Sequence, residues 1–303
     1  MSLQTLRSFV EVYRSRSITA AAQNLGLTQP AVSQHVAALE AQVGRTLFLR
    51  QARGVAPTSH ADDLASQVGD ALDRAEDALA TMQARSTNLS GSVHIAGPAE
   101  LMAERVAPFL KPLLAAGLDI RVHLGGKASL YEMLLDGQVD LAFTASTPED
   151  ARLAAAFVGS ERLLAVAAPD MARRIGAGRD LAAALEAEPL IAYDTDRPLI
   201  RDWCKANGVA LTTAAPVATA PDIRLVRNLV EASVGWSVVP DYLSAKAILD
   251  GRLQEIPAPR ETPQNDFFLV WARSALRHPR VAHARRVLLE AWQAPSRNMP
   301  VDG

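Results

Sequence analysis

The chain has 303 residues, 49% of them hydrophobic and 21% charged, which suits a soluble globular protein with room for two or three domains with full cores. Its net charge of −2 hides an asymmetry: residues 1–60 hold Arg7, Arg14, Arg16, Arg45, Arg50 and Arg53 against only Glu11 and Glu40, so this segment carries +4 and the rest −6. A basic module on an acidic body fits nucleic-acid binding at one end. The single cysteine, Cys204, excludes an intramolecular disulfide and a cysteine zinc cage. No apolar run reaches the roughly 18 residues of a membrane span, and no export signal is legible at the N-terminus, so the expected location is the cytoplasm without membrane contact.

Leu3, Leu6, Phe9, Val10 and Tyr13 give a first helix an apolar stripe. Ser17 is placed to cap a second helix that runs to Leu25 and ends at Gly26. Thr28 caps a third, with Pro30 tolerated in its first turn and Gly44 at its end. In this third helix Val32, Val36, Leu39 and Val43 share one face, and Pro30, Ser33, Gln34 and Ala37 the other. Alone, that pattern also fits an ordinary amphipathic surface helix. Helix, short glycine turn and helix together make a helix-turn-helix, whose second helix enters the DNA major groove. Gln34 can pair bidentately with an adenine edge, and Ala37, Ala38 and Ala41 permit close approach. Arg45 to Thr58 reads as a β-hairpin, or wing, directing Arg50 and Arg53 at phosphates. The expected DNA face is Thr28, Gln29, Pro30, Ser33, Gln34, His35, Arg50 and Arg53, with His35 either reaching a phosphate or packing.

From Thr58 to about Asn88 the pattern is one long helix, about 45 Å at 1.5 Å per residue. Leu64, Val68, Leu72, Leu79 and Met82 keep a heptad-like stripe. It suits either packing on its own chain or a coiled coil between protomers. Thr87 to Ser92 is rich in turn formers and reads as a hinge. Strands and helices then alternate. The series is strand 92–96, helix 100–114, strand 119–124, helix 129–136, strand 140–144 and strand 163–168. A second series runs strand 190–193, helix 199–207, strand 216–219, helix 222–232 and strand 237–239, and the chain closes with strand 267–271 and helix 281–292. This predicts two α/β lobes, each with a mainly parallel sheet, and a cleft between them.

The N-terminal sequence resembles the LysR-type transcriptional regulators. The resemblance lies in Phe9, in Ser17–Leu25, in Thr28-Gln29-Pro30-Ala31-Val32-Ser33, and in Leu39-Glu40, Val43-Gly44, Leu47-Phe48, Arg50, Arg53 and Pro57-Thr58. It is gap-free over about sixty residues and therefore specific; His60-Ala61 departs from the usual Ala-Gly. A weaker, orderly resemblance continues in 137–142, 188–191 and 229–240. It implies a winged helix-turn-helix at 1–58, a linker helix and hinge at 59–90 that pairs two protomers through Leu64, Val68, Leu72, Leu79 and Met82, and an effector-binding domain at 91–303. That domain is similar to periplasmic binding proteins, with lobe I at 91–162 and 266–303 and lobe II at 163–265. The implied partners are promoter DNA and further copies of the chain, as a homodimer and homotetramer; RNA polymerase is a further candidate.

The cleft is expected where strand ends meet helix N-termini, whose free N–H groups favour an anionic group. Candidate effector residues are Pro98, Ala99, Glu100, Gly126, Lys127, Thr144, Tyr193, Thr219 and Ala220. Relatives often carry Ser or Thr where this chain has Ala99 and Lys127. Glu100 and Lys127 facing one cleft would suit an amino-acid-like effector; solvated helix starts are the alternative, and a small organic acid remains a candidate. Cys204 is either a thiol sensor or a packing residue. No catalytic cluster, metal-ligand spacing or cofactor motif is legible, so a regulator rather than an enzyme is expected. The competing readings are an α/β solute-binding or catalytic protein with an incidental helical domain, and an architectural DNA binder without an effector.

Overall fold

The computed structural model describes residues 2–52, 54–86, 89–212 and 215–293. Helices α1 (Leu3–Ser15), α2 (Ile18–Leu25) and α3 (Gln29–Val43) pack around Phe9, Ala21, Val32, Val36 and Leu39. Each begins on a hydroxyl that accepts a backbone N–H three residues on: Ser2 from Thr5, Ser17 from Ala20, Thr28 from Ala31. Gly26 and Gly44 end α2 and α3 at φ 63° and 68°, a left-handed conformation that glycine adopts without a Cβ clash. Val43, expected on the buried face, is exposed, because the core closes at Leu39 and the last turn of α3 runs past it. Strands β1 (Phe48–Gln51) and β2 (Gly54–Pro57) form the wing. Glu40 Oε1 accepts the N–H groups of Leu47 (2.7 Å) and Phe48 (3.1 Å), fixing the wing to α3.

Helix α4 (Ser59–Ser86) is continuous. Leu64, Val68 and Leu72 turn into the same core as Phe9 and Phe48, and Leu72 is only 6% exposed. The expectation that all five stripe residues pack between protomers is corrected for these three. Helices α1–α3 leave an apolar face open, and the next apolar stripe in the chain covers it. Further along α4, Leu79 and Met82 are 51% and 67% exposed. The helix also packs along the C-terminal helix of the same chain.

The remaining elements are β3 (Ser92–Gly97), α5 (Ala99–Leu101), α6 (Lys111–Ala115), β4 (Asp119–Leu124), α7 (Lys127–Leu135), β5 (Leu141–Thr144) and β6 (Leu153–Ala167). Then come α8 (Pro169–Gly176), α9 (Leu181–Glu186), β7 (Ile191–Ala192), α10 (Pro198–Asn207), β8 (Ala218–Thr219), α11 (Ile223–Glu231), β9 (Ser237–Pro240) and α12 (Asp241–Leu249). Strands β10 (Gln254–Glu255) and β11 (Gln264–Ala272), a 3-10 turn (Arg273–Arg277) and α13 (Pro279–Gln293) complete the chain. The single helix expected over 100–114 is broken into α5, a π turn (Met102–Val106), a 3-10 turn (Ala107–Leu110) and α6. Pro108 and Pro112 supply no N–H, and the Ala107 N–H reaches back five residues to the Met102 carbonyl.

The large sheet has the order β10-β6-β11-β5-β3-β4, with β9 also on β6. Within this sheet β3 pairs in parallel with β4 and β5, while β6, β9, β10 and β11 pair antiparallel; in the second lobe β7 pairs in parallel with β8. The mainly parallel expectation is thus corrected to a mixed sheet. The chain leaves the first lobe on β6 and returns on β11, so the two crossing strands lie side by side in opposite directions. One lobe is built on Val93, Ile95, Leu141, Phe143 and Leu269. The other is built on Trp203, Trp236, Leu163 and Ala165 on one face and Val166, Val226 and Val239 on the opposite face.

Candidate DNA interface and effector cleft

Helix α3 presents Thr28, Gln29, Pro30, Gln34, Ala37 and Ala38 to solvent, while Val32, Val36 and Leu39 hold its other side in the core. Ser33 is half-buried at the edge of that exposed strip. His35 turns the other way: its Nδ1 lies 2.8 Å from the Oγ of Ser8, a buried residue of α1. Of the two roles considered for His35, the geometry places it in packing, since the α1–α3 contact is the nearest polar site. Arg50 stands exposed on β1; Arg53 lies outside the described residues. Two of the six N-terminal arginines are spent internally. Arg14 grips Asp73 of α4 with both Nη atoms (3.0 and 2.7 Å), and Arg7 pairs with Glu76. The cations left for phosphates are therefore fewer than the net charge suggests.

The same α4 acids face the opposite direction as well. Arg273, directly after β11, pairs with Asp73 and lies 3.4 Å from Asp70. Arg277 lies 3.3 Å from Glu11 and 3.5 Å from Glu76, and donates to the Asn24 carbonyl at 2.9 Å. Glu11 is buried and also accepts from Asn24 Nδ2 (2.7 Å). The helix-turn-helix, α4 and the two-lobed part thus share one charged junction within a single chain.

Between the lobes, Pro98, Ala99 and Glu100 start α5 and are half-buried. Burial raises the Glu100 carboxyl above its ordinary range, with Asp222 adding to this and Arg224 opposing it. Burial likewise raises the Tyr193 phenol, helped by Glu100, Asp194 and Asp222. Glu100 and Tyr193, from different lobes, are thus near enough for the charge of one to act on the other. Asp222 is held below its ordinary range by its side-chain hydrogen bonds with Arg224. Ala220 is buried beside Tyr193, and Thr219 is exposed. Thr144 is 1% exposed, and its Oγ1 donates to the Ser146 carbonyl at 2.7 Å. The hydroxyl proton is thus engaged locally, which leaves the oxygen to act only as an acceptor. Gly126 caps α7 exposed; the Lys127 side chain lies outside the described residues. Cys204 packs in the core of the second lobe, where burial pushes its thiol up to about 11 and leaves little reactive thiolate.

Two family models match the chain. One, for the bacterial regulatory helix-turn-helix protein of the lysR family, covers residues 3–62; the other, for the LysR substrate binding domain, covers residues 86–293. The chain belongs to the LysR family. The HTH-type transcriptional regulator AbaB of Streptomyces antibioticus is 37% identical over 97% of this chain and 99% of its own. Among solved structures, CrgA of Neisseria meningitidis, a LysR-type transcriptional regulator, matches with a TM-score of 0.60 at 20% identity, covering 97% of this chain and 99% of its own. Full-length LysG of Corynebacterium glutamicum with bound effector Arg matches at 0.56 and 19%, covering 96% and 98%. This LysR-family protein is accordingly a DNA-binding transcriptional regulator with an effector-binding domain.

The cleft of this LysR-family chain also holds residues that its local sequence did not mark. Arg105, in the π turn, lies over the rings of Tyr242 (5.2 Å) and Trp292 (5.4 Å). Burial and the nearby Glu161 and Glu100 raise the Tyr242 phenol. Glu161 is buried on β6. Gly159-Ser160-Glu161-Arg162 reads locally as a turn, and only pairing with β11, about a hundred positions away, buries it. Among the described residues no group of His, Cys, Asp and Glu suits a metal, and no helix is long and apolar enough to cross a membrane.

Proposed function

We propose that this protein reads operator DNA with the exposed strip of α3, Gln34 giving base preference and Arg50 holding phosphate, and that a small effector in the interlobe cleft alters how two copies sit on DNA. The observation that carries this is the division of α3 into an apolar side locked in the core and a small, polar side left open. Such a helix can enter a major groove without moving its own domain. For the effector we favour a small organic acid or an amino-acid-like molecule. Glu100 and Tyr193 from opposite lobes supply polar contacts, and Lys127 follows the exposed cap of α7. The bound Arg of LysG supports a small effector in this fold.

Leu79 and Met82 support pairing of protomers along the distal half of α4, giving a dimer; a second, different contact between two such dimers would complete a tetramer. Cytoplasmic residence and contact with RNA polymerase complete this reading. The test is footprinting of genomic fragments by the full chain, with and without a metabolite panel. A protected site whose extent or bending changes with one metabolite is the expected result; binding without sequence preference would refute the regulator reading in favour of an architectural one.

A further inference from the structure

Glu161 lies at the junction of the lobes, on β6, directly opposite Asn265 of β11. Its residue is 5% exposed. Oε1 accepts a hydrogen bond from Asn265 Nδ2 at 2.9 Å, which fixes the carboxyl plane. Oε2 is buried too, with no hydrogen-bond partner among the described residues. Buried polar atoms are normally satisfied, so an orphaned one calls for an occupant.

The surroundings say which kind. Glu161 shares a strand face with Gly159, where an added Cβ would fall 2.6 Å from Trp292 Nε1. The carboxyl therefore points to the side of Trp292, where Arg105 lies. Its charged neighbours come from both lobes: Glu100 and Arg105 from the first, Asp241 from the second. Around Glu161 three carboxyls, its own included, thus face the Arg105 guanidinium, which stacks on Tyr242 and Trp292 and forms no ion pair among the described residues; the second guanidinium near Glu100, Arg224, is engaged by its hydrogen bonds with Asp222. An incoming carboxylate would meet repulsion here. An incoming cation would restore the balance and complete a charge-assisted hydrogen bond.

We propose that the effector carries a protonated nitrogen, an ammonium or a guanidinium, and that Glu161 Oε2 receives it between the lobes. The proposal rests on the effector-cleft reading above and adds the charge of the ligand and the atom that binds it. Burial, Asp241 and Glu100 push the Glu161 carboxyl up to about 7, against the hydrogen bond from Asn265 and the pull of Arg105. A cation bound to Oε2 holds the group ionised, so at pH 7 binding releases about half a proton.

The test is calorimetry of the full chain with methylguanidinium, agmatine, L-lysine and L-arginine, and with adipate and benzoate as anions. Two buffers of different ionisation enthalpy at pH 7 measure the proton released. At least one cation is expected to saturate at millimolar concentration, with proton release. Glu161→Gln is expected to weaken it about tenfold or more and to abolish the release. If that variant does not fold, Glu161→Asp is the second variant, with the same weakening expected from its shorter reach. Failure of every cation to saturate, or unchanged cation affinity in a folded Glu161 variant, overturns the proposal. Saturation by adipate or benzoate alone also overturns it, with the neutral acid donating to a carboxylate, and leaves the effector-cleft reading standing.

Discussion

Leu72→Ala separates two uses of the α4 stripe. Leu72 lies in its own chain's N-terminal core with Phe9, Val36 and Phe48, so its loss is a folding event before it is an association event. Truncation removes three buried carbons, about 2.4 kcal/mol at 0.8 kcal/mol each, plus a cavity term. Leu72 sits at the rim, where α4 can settle inward, so the cavity term is small and the total is about 3 kcal/mol. Urea unfolding at two protein concentrations, with sedimentation velocity alongside, measures both quantities. The expected result is a lower urea midpoint for Leu72→Ala at both concentrations. Leu79→Ala, at a half-exposed position, is expected within about 0.5 kcal/mol of the parent as a monomer, with its effect confined to sedimentation. The reasoning fails if Leu72→Ala keeps the parent midpoint and changes only the mass in solution.

Gln34→Ala should flatten base preference at one position of each half-site, by about 1–3 kcal/mol, in a competition assay over site variants; unchanged ranking would remove Gln34 from the readout. Arg50→Ala should weaken all sequences alike and reduce the slope of log affinity against log salt by about one. Arg277→Ala should cost about 1–3 kcal/mol in urea unfolding, less than a fully orphaned buried pair, because Glu11 retains Asn24 and Glu76 retains Arg7; an unchanged midpoint would show that the junction does not persist in solution. For Glu161 the folded pKa lies above the unfolded one, so the native state holds the proton more tightly. Its contribution to stability is full below about pH 4.5 and is lost, by at most about 3 kcal/mol, as the pH rises through about 7. Urea midpoints between pH 5 and 8 should fall more steeply in the parent chain than in Glu161→Gln, which keeps the contribution of the raised Glu100.

The helix-turn-helix was legible because its signals are local. Ser17, Gly26, Thr28 and Gly44 act within one turn of where they stand, and each does in the structure what its residue type predicts. The α4 stripe was legible as a stripe but silent about its partner, since Leu64, Val68 and Leu72 show the same spacing against a core or a second copy. The first half of β6 went unread because Leu153-Ala154-Ala155-Ala156-Phe157 has no strand alternation and is rich in alanine. Pairing with β11 overrides that helical preference. Glu100 and Tyr193 could be picked out from strand ends, whereas the hydrogen bond of Thr144 to the Ser146 carbonyl depends on a loop conformation that residue type alone does not announce. Arg105 and Tyr242 come from separate lobes and share a contact that no spacing encodes.

Strand β11 has one end beside Glu161, through Asn265, and the other at Ala272, next to the Arg273 that holds Asp73 of α4. Eight residues of extended chain separate Asn265 from Arg273, about 26 Å at 3.3 Å each. A tilt of about 10° at the cleft end would carry the far end through about 4.5 Å, more than an ion pair tolerates. The register of β11 against β6 shifts between Phe267 and Phe268. The extra residue there is Val158 of β6, so β11 itself runs unbroken from the Glu161 end to the linker helix.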